Sequence, residues 1–346
     1  MRAGRCSWTA IACSRRRTTR ASRSWGARRS RQGRVADPRV RVAVIGVGHL
    51  GRHHARLLAT LDDVELAAVV DTVHERAAAA SEATGARALT DYRELFDGVD
   101  AVTIAVPTEL HAEVARPFLQ RGTAVLVEKP IARSLAEADD IVAAAHASGA
   151  VLAVGHTERF NPAVAAVLPL VSTPRFIEVH RLGAFPDRSL DIDVVFDLMI
   201  HDLDVILAMV KSEVTAIEAV GVPVLTERYD IANARLRFAN GCIANVTASR
   251  ISRDRVRKIR FFQPDAYISI DYASQEVEGY RLVRRDGQRP EIQGGQLPIA
   301  REEPLKRELA DFVSAVRGRR APLVTGVDGR RALALAQAIA EKMETV

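Results

Sequence analysis

From Val40 to His156 short apolar runs alternate with helical stretches: RVAVIG then HLGRHHARLLATL, VELAAVVD then HERAAAASEAT, AVTIAVP then ELHAEVARPFLQR, TAVLVEK then SLAEADDIVAAAHASG, and VLAVGH. Strands that are apolar throughout, each followed by a helix, require burial on both faces, so the pattern predicts a doubly wound parallel sheet. After about Phe160 the texture changes to one helix and a series of strand-like runs, VTAIEAVGV, IANARLRFA, CIANVTASRI, RKIRFF, YISIDYA and GYRLVRR. Asn240-Gly241 between two of them is a hairpin signal. The fold class is α/β: a doubly wound domain over 39–157, an α+β domain with a mostly antiparallel open sheet over 158–327, and a C-terminal helix over 328–346 that packs back on the body.

The net charge of +6 suggests a nucleic-acid partner only until its distribution is read. The segment up to Arg39 holds twelve Arg and one acid, Asp37, which leaves the remaining body mildly acidic. No nucleic acid is expected. Residues 1–38 have no helical or strand period and read as a disordered basic leader, an over-long start or a transit-like segment. Cys242 is the one cysteine of the body, which argues against a disulfide framework and for a reducing, cytoplasmic setting. No apolar run of about 18 residues exists to span a membrane.

The first strand runs into GVGHLG, with Gly46, Gly48 and Gly51 in the spacing G-x-G-x-x-G. Between a strand and a helix this spacing has a physical role: the first glycine allows the tight turn, the second lets backbone approach a pyrophosphate, and the third lets helix and strand pack closely. His49 and Leu50 complete the turn, at the N-terminus of a helix where an anion is favoured. Asp71 ends the second strand, placed to accept from the adenosine ribose and to repel a 2′-phosphate, with no cation at Thr72 or Val73. NAD is the expected cofactor, and no metal is expected.

The stretch DIDVVFDLMIHDLDVI, residues 191–206, poses a problem of charge. At about 100° per residue, Asp193, Asp197, His201 and Asp204 share one sector of an otherwise apolar helix, with Asp202 opposite. In a chain with 27% charged residues, a merely solvated stripe would be expected to include Lys or Glu, and this one has neither. The stripe is expected to line a cleft, with Asp193 and Asp204 as structural capping or pairing groups.

The strand TAVLVEK runs into Pro130, giving VEKP with Glu128, Lys129 and Pro130. A dinucleotide-binding half, E-K-P, and a D-x-x-x-H helix downstream together resemble the Gfo/Idh/MocA family of oxidoreductases over roughly residues 40–346. The resemblance implies that Lys129, Asp197 and His201 surround the nicotinamide and a substrate hydroxyl, and that Glu128, Pro107 and His111 lie beside the cofactor. Hydride transfer from a secondary alcohol also needs a proton acceptor, a role suited to His201 or Lys129. His53 and His54 read as ordinary helix residues.

Family members often have a glycine run before the D-x-x-x-H helix, whereas this chain has RSLDIDVVFD. Arg181 and Arg188 before the helix, with Arg159 and Asn161, are candidates for substrate contact and for gripping an anion. The resemblance is greatest to members acting on the 3-hydroxyl of UDP-N-acetylglucosamine. A free polyol or sugar is the alternative substrate, and a non-catalytic NAD-binding sensor or scaffold the third reading. A homo-oligomer through the antiparallel sheet is expected.

Overall fold

The computed structural model describes residues 39–185, 192–286 and 288–345. The leader to residue 38 and the candidate Arg188 lie outside the described residues. The first half contains β1 (Val40–Ile45), α1 (Gly51–Leu58), β2 (Val64–Val70), α2 (His74–Thr84), β3 (Arg87–Leu89), β4 (Ala101–Ile104), α3 (His111–Gln120), β5 (Ala124–Glu128), α4 (Leu135–Ser148) and β6 (Leu152–Gly155). All six strands are parallel, in the order β3-β2-β1-β4-β5-β6. The order reverses between β1 and β4, which opens a ligand crevice beyond their C-terminal ends.

The continuous apolar strands are buried on both faces as expected: β4, β5 and β6 contain no exposed residue. One face packs Val102, Ile104 and Val127 with Phe118 and Ile141. The other packs Val42, Val44 and Leu126 with Leu309, Phe312 and Val313.

The second half continues with α5 (Pro162–Val167), β7 (Phe176–Leu182), a π-helical turn (Val195–Met199) and α6 (Ile200–Val210). Next come β8 (Val214–Val222), β9 (Ile231–Phe238), β10 (Ile243–Ser249), β11 (Val256–Phe262), β12 (Ala266–Asp271), β13 (Glu276–Val283) and β14 (Glu291–Leu297). The chain ends with α7 (Pro304–Gly318), α8 (Gly326–Lys342) and β15 (Met343–Thr345). The second sheet has nine strands in the order β14-β13-β12-β11-β7-β10-β9-β8-β15, antiparallel except for β7 with β10 and β8 with β15. The Asn240-Gly241 hairpin joins β9 to β10, with Gly241 at φ 82°.

Four strands are absent from the expected pattern: β3, β7, β14 and β15. The reason is clearest for β7, whose buried residues are Ile177, Val179 and Arg181, so a charged residue ends the apolar row. The reading also placed α7 with the α+β domain. Leu309, Phe312 and Val313 instead fill the face of the first sheet beside α1, because their spacing makes one apolar stripe that fits there. Helix α8 packs between the two halves, against α4 and β6 on one side and α6 and β8 on the other. Gly329 permits this approach, since a Cβ there would meet Val154 Cγ2 at 2.7 Å.

Candidate active site

The glycine turn has the geometry a dinucleotide needs. Gly46 has φ 84°, and a Cβ there would meet the Ala105 carbonyl carbon at 2.8 Å. A Cβ on Gly51 would overlap the Gly46 carbonyl, whereas one on Gly48 would point into open space. The turn thus leaves free the side from which a pyrophosphate would approach, with His49 and Leu50 exposed beside it and Pro107 exposed at the end of β4. Asp71 is buried, with Oδ2 accepting from the Val47 N–H at 3.1 Å and Oδ1 from the Val73 N–H at 3.0 Å. Arg76, one turn into α2 and 3.9 Å from Asp71, is a cation that inspection of Thr72 and Val73 alone overlooked. These residues fit NAD: Gly46 to Gly51 would hold the pyrophosphate and Asp71 the ribose.

Lys129 leaves the end of β5 and donates from Nζ to the Asp197 carbonyl at 2.7 Å, with Asp197 Oδ1 at 3.7 Å. Burial lowers the ammonium below the usual lysine range, and Asp197 offsets part of that. His201 is partly buried, and its Nδ1 has no partner among the described residues. Burial, then the charges of Lys129 and Arg181, hold this imidazole well below its ordinary value, so it is neutral near pH 7. Lys129 thus meets Asp197, and its charge reaches the His201 imidazole.

The regular stripe does not survive. A π-helical turn from Val195 to Met199 holds an extra residue per turn and shifts the register between Asp193 and His201. Asp193 accepts from the Tyr229 N–H at 3.0 Å, and Asp204 pairs with Arg159 at 3.2 Å. Both act structurally, and burial pushes the Asp204 carboxyl up to about 7.

The expected substrate arginines are occupied. Arg181 is 4% exposed, bidentate on Asp202 and bonded to Glu158 at 3.1 Å. Burial alone would weaken its hold on the proton, but the two carboxylates keep the guanidinium charged. Asp202, on the far side of the helix, is thus the anchor of a buried pair. Arg159 spends its donors on Asp204 and the Leu323 carbonyl. Asn161 is 2% exposed; it caps α5 through the Ala163 N–H and donates to the Tyr272 carbonyl. Arg181, Arg159 and Asn161 are correspondingly reassigned to holding the site's frame.

Two of the expected cofactor neighbours also have protein partners. Glu128 is 7% exposed, and it binds His54 at 2.9 Å and the Lys129 N–H at 3.2 Å. Burial alone would raise this carboxyl, but His54 and then Lys129 bring it below the ordinary range. His111 is 1% exposed, with Nδ1 2.9 Å from the Pro130 carbonyl and Nε2 3.0 Å from that of Val106. Glu128 holds the backbone of Lys129, and His111 the backbone that follows it.

Two histidines were missed. His54 is no ordinary helix residue: it is fully buried, and its place in the stripe Gly51, His54, Ala55, Leu58 was a readable signal. His156 follows β6, fully buried, edge-on to His201 with ring centroids 6.4 Å apart and neither nitrogen partnered. Burial, reinforced by Lys129, holds it down at about 3, so it too is neutral. No period or motif in the chain marked it.

Comparison with known proteins gives the family. Residues 40–156 match the model of the oxidoreductase family with an NAD-binding Rossmann fold, and residues 174–267 that of the GFO/IDH/MocA C-terminal domain. The chain is 40% identical over 301 residues to UDP-N-acetylglucosamine 3-dehydrogenase of Acidithiobacillus ferrooxidans, covering 86% of this chain and 95% of the relative. A solved structure of that enzyme superposes with a TM-score of 0.83 at 38% identity, over 88% of this chain and 98% of the other. Inositol 2-dehydrogenase of Rhizobium meliloti is 25% identical over 88% of this chain and 98% of its own. The protein belongs to the Gfo/Idh/MocA family of NAD-binding oxidoreductases.

Proposed function

We propose that the protein oxidises the 3-hydroxyl of UDP-N-acetylglucosamine or a related nucleotide sugar, with Lys129, Asp197 and His201 as its catalytic residues. The observation that carries this reading is the meeting of Lys129 with Asp197 at the mouth of a dinucleotide crevice, with His201 following Asp197 on the same helical stretch. The nucleotide-sugar relative at 40% identity supports the substrate.

Bound NAD supplies the hydride acceptor. Lys129 donates to the substrate oxygen and stabilises charge developing there. His201, neutral because of burial and adjacent cations, has a free basic site to take the hydroxyl proton. Asp197 restrains the lysine through its carbonyl and carboxylate.

NADH formation with a panel of UDP-sugars and free polyols tests the reading. Turnover of UDP-N-acetylglucosamine but not of inositol or free N-acetylglucosamine is expected, and the reverse order would overturn it. A free polyol keeps a place as second reading because Arg159 and Arg181 are committed to carboxylates and unavailable to a phosphate.

Among the described residues no helix is long and apolar enough to cross a membrane. The reading extends to a cytoplasmic homo-oligomer. Phe176, Phe262, Tyr267 and Tyr280 form a ladder of cross-strand pairs over β7, β11, β12 and β13, on the face opposite buried Ile177, Phe261 and Ile268. Tyr280→Glu should shift the mass in light scattering toward the monomer.

A further inference from the structure

The expected arginines are tied up, yet a diphosphate entering the cleft needs a cation. In the β7–β11 ladder Ile177 faces Phe261, Val179 faces Ile259, and Arg181 faces Arg257. Residues directly opposite in a ladder point to the same side of the sheet. On this side Ile177, Val179, Ile259 and Phe261 are buried, and Arg181 reaches Asp202 on α6. Arg257 therefore ends a buried row on the helix-bearing face, and it is exposed.

Its side chain has no hydrogen bond or ion pair among the described residues, whereas Arg181 opposite has three. After burial, Lys129, Arg181 and His156, the charge of Arg257 also helps to hold the His201 imidazole down. Arg253 and Arg255, just before it, are exposed as well and likewise have no partner among the described residues.

We propose that Arg257 binds the phosphoryl anion of the substrate while the sugar hydroxyl lies at Lys129 and His201. This rests on the function proposed above and deepens it. A guanidinium offers paired donors that match phosphoryl oxygens, and one free at the rim gives affinity without first breaking a native pair. The 3-hydroxyl and the anomeric phosphate stand on C3 and C1 of one pyranose ring, so a nucleotide sugar can be held at both groups at once.

The test uses the full chain loaded with NADH, so that the dinucleotide site is filled, and measures binding of UDP and of N-acetylglucosamine 1-phosphate by calorimetry. Arg257→Ala should weaken both by roughly 10- to 100-fold, the worth of one charged hydrogen-bonding group. Arg257→Lys should recover part of that loss. The control is Lys258→Ala, because Lys258 points to the other face and pairs with Asp271 at 3.5 Å. It should change binding by less than about twofold.

Equal losses in Arg257→Ala and Lys258→Ala would reduce the effect to net charge and overturn the proposal. So would unchanged binding in Arg257→Ala, or no binding of either probe by the wild type. Wild-type binding of UDP that depends on Arg257, without turnover of any UDP-sugar, would sink the substrate reading while leaving the anion site standing.

Discussion

The two walls of the cleft handle charge differently. On the dinucleotide wall Asp71, Glu128, Lys129 and His111 are each held by at least one backbone group: Val47 and Val73 N–H, Lys129 N–H, and the Asp197 and Pro130 carbonyls. On the helix wall Asp202 and Asp204 are matched by the arginines Arg181 and Arg159. Backbone groups at strand ends are fixed by the sheet and can hold a side chain without neutralising it. A buried ion pair satisfies both its charges, so it braces the frame and leaves little for a substrate. The contrast teaches that the two walls hold their charges by different means, and that His201, the proposed proton acceptor, keeps a ring nitrogen without a partner among the described residues.

The largest expected effect tests this directly. Lys129→Ala should lower kcat by roughly 10²- to 10⁴-fold, as should His201→Asn, with NAD affinity nearly unchanged in a titration of NADH fluorescence. Wild-type turnover in either variant would mean that the convergence of these groups is structural.

Next in size is the helix wall. Asp202→Asn leaves Arg181 without its bidentate partner in a buried setting and should cost roughly 3 kcal/mol or more in denaturant unfolding. Asp197→Asn, on a partly exposed side chain, should lower turnover with little loss of stability. If the two variants behaved alike in both assays, the division of labour between the walls would collapse.

A smaller effect is expected behind Lys129. His54→Leu removes the bond to buried Glu128 and should cost about 1–3 kcal/mol of stability. It should lower kcat more than it raises the KM for NAD, because Glu128 also holds the Lys129 N–H. A change confined to that KM would place His54 with the pyrophosphate turn instead.

The remaining effect is read as a slope in pH dependence. The folded-state value of Asp204 is raised from 3.8 to about 7, so the folded protein binds the extra proton. Its contribution to stability is present below 3.8 and is lost as pH rises through about 7. Asp204→Asn should therefore flatten the wild-type decline over this window, by at most about 1.4 kcal/mol per pH unit. Superimposable curves for the two proteins would show that burial does not shift this group.

The site was legible in the sequence where function demands a local motif. Gly46, Gly48 and Gly51 announce their turn because each answers a steric need within six residues, whereas Lys129 is marked by the E-K-P motif through the family resemblance. His156 had no such signal, since nothing adjacent in the chain differs from an ordinary strand end. Arg181 misled for the opposite reason: an arginine before an acidic helix suggests a ligand, and only the fold reveals that Asp202 meets it.

By itself the sequence determined the doubly wound sheet, the dinucleotide turn and the hairpin at Asn240-Gly241. These depend on periodicity, glycine sterics and short motifs, all of them local properties of the chain. Only the tertiary structure decided that α7 completes the first core, that the helix passes through a π turn, and which carboxylate each arginine meets. Those outcomes depend on groups 20 or more residues apart, such as Arg181 with Asp202, Arg159 with Asp204, and His54 with Glu128. A buried charge takes whichever opposite partner the packing brings within reach, and sequence spacing does not encode that choice.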